Sequence, residues 1–256
     1  KVYKEIGFKT EVNRLKKQAE IGFYKELRML KLLGLKDHSS ILEIGSGPGF
    51  YTELLLNDFN NITITCLDYD IEFLKYSRSN IDKKFKDKVF YVKDNIENTS
   101  LQNDSYDYVI ARFVFQHLDN PLEALMEIKR LLKPGGKLFI IDVDNDLWGA
   151  SYPKSNVIDN LNGSIGKFQN KLNGNRLIGR ELIPMIKKLG FINFDIEAVI
   201  NHSDVLGKEN FVNKFDPNLI KDINMKKILT EYNRYFSNDN SSIMILKIVV
   251  TAAKEN

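Results

Sequence analysis

Residues 41–49 read Ile-Leu-Glu-Ile-Gly-Ser-Gly-Pro-Gly. A short apolar run carrying one acid, Glu43, leads into glycines at alternate positions: Gly45, Gly47 and Gly49. Such a run reads as a buried parallel strand. Glycines directly after it let the backbone turn tightly and approach a ligand with no Cβ in the way. A helix is expected from Phe50, with its first free N–H groups pointing at the same place. The stretch therefore predicts a nucleotide-like ligand at a strand-to-helix turn. Its spacing is neither the dinucleotide G-x-G-x-x-G nor the P-loop with its Lys and Ser/Thr.

Outward from this turn, strands and helices alternate. Strands are expected at 62–67, 89–92, 106–111 and 137–143, and helices at 50–57, 70–80 and 121–132. This alternation implies a parallel sheet covered by helices on both faces. Before the turn, Val12, Leu15, Ala19, Ile21, Leu27, Leu30 and Leu33 recur at mostly helical spacing, predicting an amphipathic arm over 10–33 that stops at Gly34. After it, a helix is expected at 179–190 and strands at 191–199 and 242–252. The segments 144–178 and 200–240, the latter with a helix near 218–236, interrupt the alternation. They read as a substrate lid or as surface insertions.

Net charge is +3 over 256 residues, with opposite charges interspersed, which is no strong nucleic-acid footprint. The single cysteine, Cys66, lies in an apolar run and has no internal disulfide partner, which fits a cytoplasmic setting. No apolar run reaches the ~18 residues of a membrane span. Residues 1–20 are too charged for a signal peptide.

Glu43-Ile44-Gly45-Ser46-Gly47-Pro48-Gly49 resembles the first motif of the class I S-adenosylmethionine (SAM)-dependent methyltransferases. A second stretch, YDYVIARFVFQHLDNPLEALMEIKRLLKPGGKLFI at 106–140, closely resembles the pattern around their fourth and fifth strands. The resemblance covers roughly 1–200, whereas 200–240 matches nothing assignable. It implies a Rossmann-like α/β fold with a seven-stranded, mostly parallel sheet. The chain would form one domain, 1–256, with an N-terminal arm at 1–33 and lid segments at 144–178 and 200–240. The cofactor implied is SAM, with S-adenosylhomocysteine as product, cradled by Glu43, Gly45, Ser46, Gly47 and Gly49.

Asp68 follows the second strand, nineteen residues after Gly49. In open α/β sheets an acid there accepts hydrogen bonds from ribose hydroxyls, and the resemblance assigns it to the SAM ribose. By itself it also reads as a helix cap. Tyr69 would lie along the adenine face. The resemblance gives Asp94 the adenine amino group and Asn95 a backbone contact to the ring. Their chemistry alone says only an Asp-Asn turn. Arg112 would line the cofactor site through its backbone. The pattern Glu11-x-x-Arg14-Leu15-x-x-Gln18 resembles an arm that folds over the cofactor in a small-molecule branch of the family. Gln18 would then touch SAM; the other reading is an ordinary surface helix.

SAM is a sulfonium with an activated methyl group, so in-line alignment and exclusion of water dominate the chemistry. His117, in the loop after the fourth strand, is the candidate general base, or else a packing histidine. Asp144, Trp148 and Tyr152, after the fifth strand, are candidate substrate contacts. The clustered acids Asp142, Asp144 and Asp146 lack an accompanying histidine, so no metal is expected. The function implied is methyl transfer to an O, N or C atom of a small molecule. The alternatives are a tRNA or protein methyltransferase, or an inactive SAM-binding module. Oligomeric state is not legible.

Overall fold

The computed structural model describes residues 7–212 and 222–256. Its spine is an eight-stranded sheet in the order β3-β2-β1-β4-β5-β8-β6, with β7 pairing β8. The strands are β1 (Ser40–Ile44), β2 (Thr63–Asp68), β3 (Val89–Lys93), β4 (Tyr106–Arg112), β5 (Leu132–Asp142), β6 (Gly149–Tyr152), β7 (Ile192–His202) and β8 (Ser242–Ala253). Strands β1 to β5 pair in parallel and β8 runs antiparallel to β5 and β7. All seven expected strands are present. The eighth, β6, arises because β8 outruns β5. Residues 242–245 of β8 pair with 149–152 instead.

Alternation along the strands sorts two cores. Leu42, Ile44, Val109, Ala111, Leu138, Ile140 and Val250 face α5 (Pro121–Leu131) and α7 (Ile178–Lys188). Ile41, Ile64, Cys66, Ile110, Phe139 and Val249 face the opposite side. That side is covered by α2 (Phe23–Leu32), α3 (Phe50–Asp58) and α4 (Ile71–Phe85). With both faces covered, the central strands are apolar on both faces.

The arm is two helices, α1 (Phe8–Glu20) and α2, rather than one. It breaks at Gly22, which takes φ +71, and a Cβ there would sit 2.3 Å from Asn201 Oδ1. Helix α5 ends at Leu131, ahead of Pro134. The Pro-Gly-Gly instead lies at the start of β5, where a Cβ on Gly136 would sit 2.9–3.1 Å from three backbone oxygens. The interrupting segments meet each other. Helices α6 (Asn156–Asn170) and α9 (Ile223–Tyr235) pack around Val157, Ile158, Phe211, Tyr232, Phe236 and Ile243. A short helix, α8 (Ser203–Leu206), follows β7. Part of the 200–240 expectation, 213–221, lies outside the described residues, as does the start of the 1–33 arm.

Candidate functional site

Register brings the chemistry to one edge. Ile44 aligns with Leu67 on one side and Ala111 on the other, so the glycine loop, Asp68 and Arg112 leave the sheet together. This is the carboxyl edge where strand order reverses, the place such sheets bind ligands.

All three loop glycines have left-handed φ: +63 at Gly45, +55 at Gly47 and +83 at Gly49. Gly45 N donates to Leu67 O at 2.8 Å, and Gly49 N to Ser46 O at 3.1 Å. Asp68 is buried. Its Oδ2 accepts from Gly47 N and its Oδ1 from Asp70 N, both at 2.8 Å. The helix-cap role belongs to Asp70, which accepts from Glu72 N. Asp68 therefore stands against the loop rather than on the helix. Tyr69 beside it is 63% exposed, an aromatic face turned outward.

Glu43 lies beneath the loop, buried, and accepts from Thr52 Oγ1 at 2.6 Å. Burial pushes its carboxyl up to about 7 against the pull of that hydrogen bond. Ser46 is also buried. Asp94 Oδ1 accepts from Asn95 N and Oδ2 from Ser100 N, closing a loop on itself. The Ser100 backbone bond leads in holding the Asp94 carboxyl below its ordinary value. Asn95 is exposed beside it.

Arg112 acts through its side chain, not only its backbone as expected. Its guanidinium binds Glu26 at 2.7 and 3.0 Å and the Gln18 carbonyl at 2.7 Å. Lys247 also binds Glu26 and donates to Ile21 O at 3.1 Å. These buried charges hold the arm against the sheet. The Gln18 side chain is half-buried on the same helix.

On the other side of the edge, a polar network joins the loops after β4 and β5 to α6. Asp142 is buried and accepts from Gln116 Nε2 at 2.9 Å, Gln116 N at 3.2 Å and Val143 N at 2.9 Å. Burial pushes its carboxyl up to about 7, opposed by those backbone donors. Arg176 Nη1 donates to Gln116 Oε1 and Gln169 Oε1, each at 3.1 Å. Gln169 Nε2 in turn lies 3.0 Å from His117 Nδ1. Because Gln169 Oε1 faces the arginine, its amide nitrogen faces the imidazole. An amide nitrogen only donates, so Nδ1 accepts and the ring proton sits on Nε2.

The surroundings of His117 disfavour its charged form. Burial first, then the charges of Arg176 and Arg14, pull His117 down to about 4. Its basic nitrogen is already occupied, so it is neutral at physiological pH and a poor proton acceptor. Asp144 is also otherwise engaged. It is buried and gripped by Arg180 at 2.7 Å through both oxygens, which keeps its charge but closes it to substrate. Asp146 binds the same arginine. Tyr152 is 72% exposed on β6, and its carbonyl accepts from Tyr235 in the α6–α9 layer, so it walls no pocket at this edge. The Arg176 guanidinium lies over the Trp148 ring, 5.2 Å from its centre.

Gln169 and Arg176 carry no sequence signal, because they lie in a segment without strand–helix periodicity. Gln116 was visible only as the neighbour of His117. Among the described residues no cluster of His, Cys, Asp or Glu fits a metal ion. A polar groove of about 400 Å³ runs between α6 and α9, lined by Asp159, Lys167, Lys227 and Glu231 among others, away from the glycine loop.

Residues 42–140 match the model of a methyltransferase-domain family. The chain is 30% identical over 107 residues to a malonyl-acyl-carrier-protein O-methyltransferase from Paenibacillus sp. (strain JDR-2), covering 41% of this chain and 39% of that protein. A protein of the same description from Halalkalibacterium halodurans is 32% identical over 39% of this chain and 37% of its own length. The chain thus spans well under half the length of these curated relatives. Among solved structures, a phosphoethanolamine N-methyltransferase from Haemonchus contortus, in complex with phosphomonomethylethanolamine and S-adenosylhomocysteine, shares the fold. Its TM-score is 0.63 at 21% identity, covering 91% of this chain and 53% of that one.

Proposed function

We propose that this chain, whose residues 42–140 match the model of a methyltransferase-domain family, binds SAM and transfers its methyl to an O, N or C atom of a small molecule. The observation that carries this is the loop itself. Three left-handed glycines, Gly47 with nothing within 4 Å of where a Cβ would stand, meet an acid at the end of β2. Gly45, Ser46, Gly47 and Gly49 would form the cradle, with Glu43 bracing it from below through Thr52. Asp68 would take the ribose hydroxyls and Tyr69 the adenine face. Asp94 and Asn95 would close the far side of the base. Gln18 would reach the cofactor from α1, which Arg112 holds in place.

SAM supplies the activated methyl group. The protein's task is to align the acceptor and exclude water. His117, neutral with its proton on Nε2, suits donation of a hydrogen bond to the acceptor rather than proton abstraction. The relatives' description makes a carboxylate oxygen one candidate acceptor, which needs no base at neutral pH. The net charge of +3 gives methylation of tRNA no added weight. An intact loop and Asp68 speak against an inactive module. No helix among the described residues is long and apolar enough to cross a membrane. We place the protein in the cytoplasm on the strength of its one free, buried thiol.

Calorimetry with SAM tests the cofactor. Asp68→Ala should weaken SAM by roughly 1.5–3 kcal/mol, about 10–150-fold, the scale of a charge-assisted hydrogen bond with its partner left unpaired. Preference for NAD over SAM, or no loss in the variant, would overturn the assignment. A gain of one methyl in a metabolite panel would identify the acceptor.

The histidine reading makes a separate prediction. With its conjugate acid at about 4, His117 should add no inflection near pH ~6.5 to the kcat profile; one arising from Glu43 or Asp142, both pushed up to about 7, should persist in His117→Gln. His117→Gln, which keeps a donor, should stay within about tenfold of wild type, well short of the ~10²–10⁴ loss of a general base. An inflection at 6 to 7 that vanishes in the variant would restore the base.

We also propose that the arm, 144–178 and 200–240 close over the acceptor. SAM should then slow hydrogen exchange in α1 and α6, and unchanged protection in both would leave these segments as surface cover.

A further inference from the structure

The Arg176 guanidinium is partly buried, yet it has no carboxylate within ion-pair distance among the described residues. Asp142 is the acid whose charge acts on it, from beyond ion-pair distance. Asp144 and Asp146 are held by Arg180, and Glu11 by Arg14. Asp142 is held by Gln116 and backbone N–H groups. The acceptors that do meet Arg176 are neutral amides: Asn145 Oδ1 on Nε at 2.9 Å, and Gln116 and Gln169 on Nη1. Three amide oxygens and the Trp148 ring fix the plane of the fork. Nη2 makes no hydrogen bond within the described residues.

A guanidinium oriented so tightly, with one edge unclaimed, is pre-organised for an anion. Asp142 acts on it only at a distance, and an arginine kept in place only for stability would be expected to grip a carboxylate directly. The residue is not sealed off either; its exposure is intermediate. It is linked through Gln169 to His117 at the carboxyl edge, where the proposed function puts the methyl acceptor.

We infer that the free edge of Arg176, stacked on Trp148 and braced by Gln116, Gln169 and Asn145, binds an anionic group of the acceptor, making this a site for acidic small molecules. The proposal rests on the methyl-transfer reading for the word acceptor, but the anion site itself does not require SAM. A carboxylate and a phosphate monoester share the chemistry that a guanidinium fork recognises.

Trp148 is the only tryptophan in the chain, so its fluorescence reports on this place alone. Titration of the wild-type protein at constant ionic strength with glutarate, its neutral analogue glutaramide, and propylphosphonate is the test. The expected result is a saturable change with glutarate or propylphosphonate and at least ~10-fold weaker response to glutaramide. The stronger of the two anions identifies the source. Arg176→Gln should abolish the preference for charge, and Arg176→Lys should keep part of it while losing the two-point grip.

The wild-type contrast needs no variant, so a misfolded Arg176→Gln leaves the proposal testable. Equal responses to glutarate, propylphosphonate and glutaramide overturn it. So does an unchanged anion preference in a folded Arg176→Gln protein. Calorimetry with SAM on the same samples separates the two readings. Anion binding without SAM binding would remove the methyltransferase reading and keep the site. SAM binding without anion preference would do the reverse.

Discussion

Glu26→Gln should destabilise the protein by about 3–5 kcal/mol, the scale for leaving buried charges without their partner, and lower Tm on the order of 10 °C. Glu26 is fully buried and sits between Arg112 and Lys247. Burial alone would raise its carboxyl; the nearby charges of Arg112 and then Lys247 outweigh this and hold it below its ordinary value. A group depressed in the folded state stabilises it above the unfolded pKa, and that contribution is lost as pH falls through the folded value. Wild type should therefore weaken below about pH 4.5, and the Gln variant should show less of that acid loss.

Lys247→Met should be much milder. It removes the surplus cation and leaves the two-point Glu26–Arg112 pair intact, so its cost should fall below about 1.5 kcal/mol or change sign. Urea unfolding at pH 7 and pH 4 checks both variants. Equal losses in the two would mean that the cluster is not organised around Glu26. Because these side chains tie the arm to the sheet, hydrogen exchange in α1 and α2 should rise first in Glu26→Gln.

The second large effect separates the loop glycines. A Cβ on Gly49 would stand 2.1 Å from Ser77 Oγ and 2.6 Å from Ile81 Cδ1, at φ +83. Gly49→Ala therefore combines overpacking with left-handed strain and should cost about 2–4 kcal/mol of stability. Gly47 has φ +55 but open space where its Cβ would go. Gly47→Ala should cost only about 1–2 kcal/mol in folding, yet reduce SAM affinity at least ~10-fold, because the methyl would enter the face that the ligand needs. Thermal melts and calorimetry on both variants decide the matter. If Gly47→Ala bound SAM normally, the cofactor would not approach the loop from that side.

The division between what was legible and what was not follows from range. The apolar run at 41–44, the glycines behind it and Asp68 were readable because a strand, a turn and a following helix are local structures. Backbone sterics and periodicity act over a few residues. The parallel core followed from repeating that unit, and it placed the glycine loop, Asp68, His117 and Trp148 along one edge. Position did not decide role. The neutral form of His117 is favoured by burial first and then by the charge of Arg176, while Gln169, 52 residues away, caps its Nδ1. Asp144 looked open until Arg180, 36 residues on, closed it. Arg112 turned from a backbone lining into the anchor of the arm through Glu26 and Lys247, which lie 86 and 135 residues away in the chain.

By itself, then, the sequence determined the strand–turn–helix unit, the sheet built from it and the acid that faces the loop, since each rests on local conformational preference. Only the tertiary structure decided protonation, charge pairing and which polar groups stay uncommitted. Those depend on desolvation and on partners that are neighbours in space but distant along the chain.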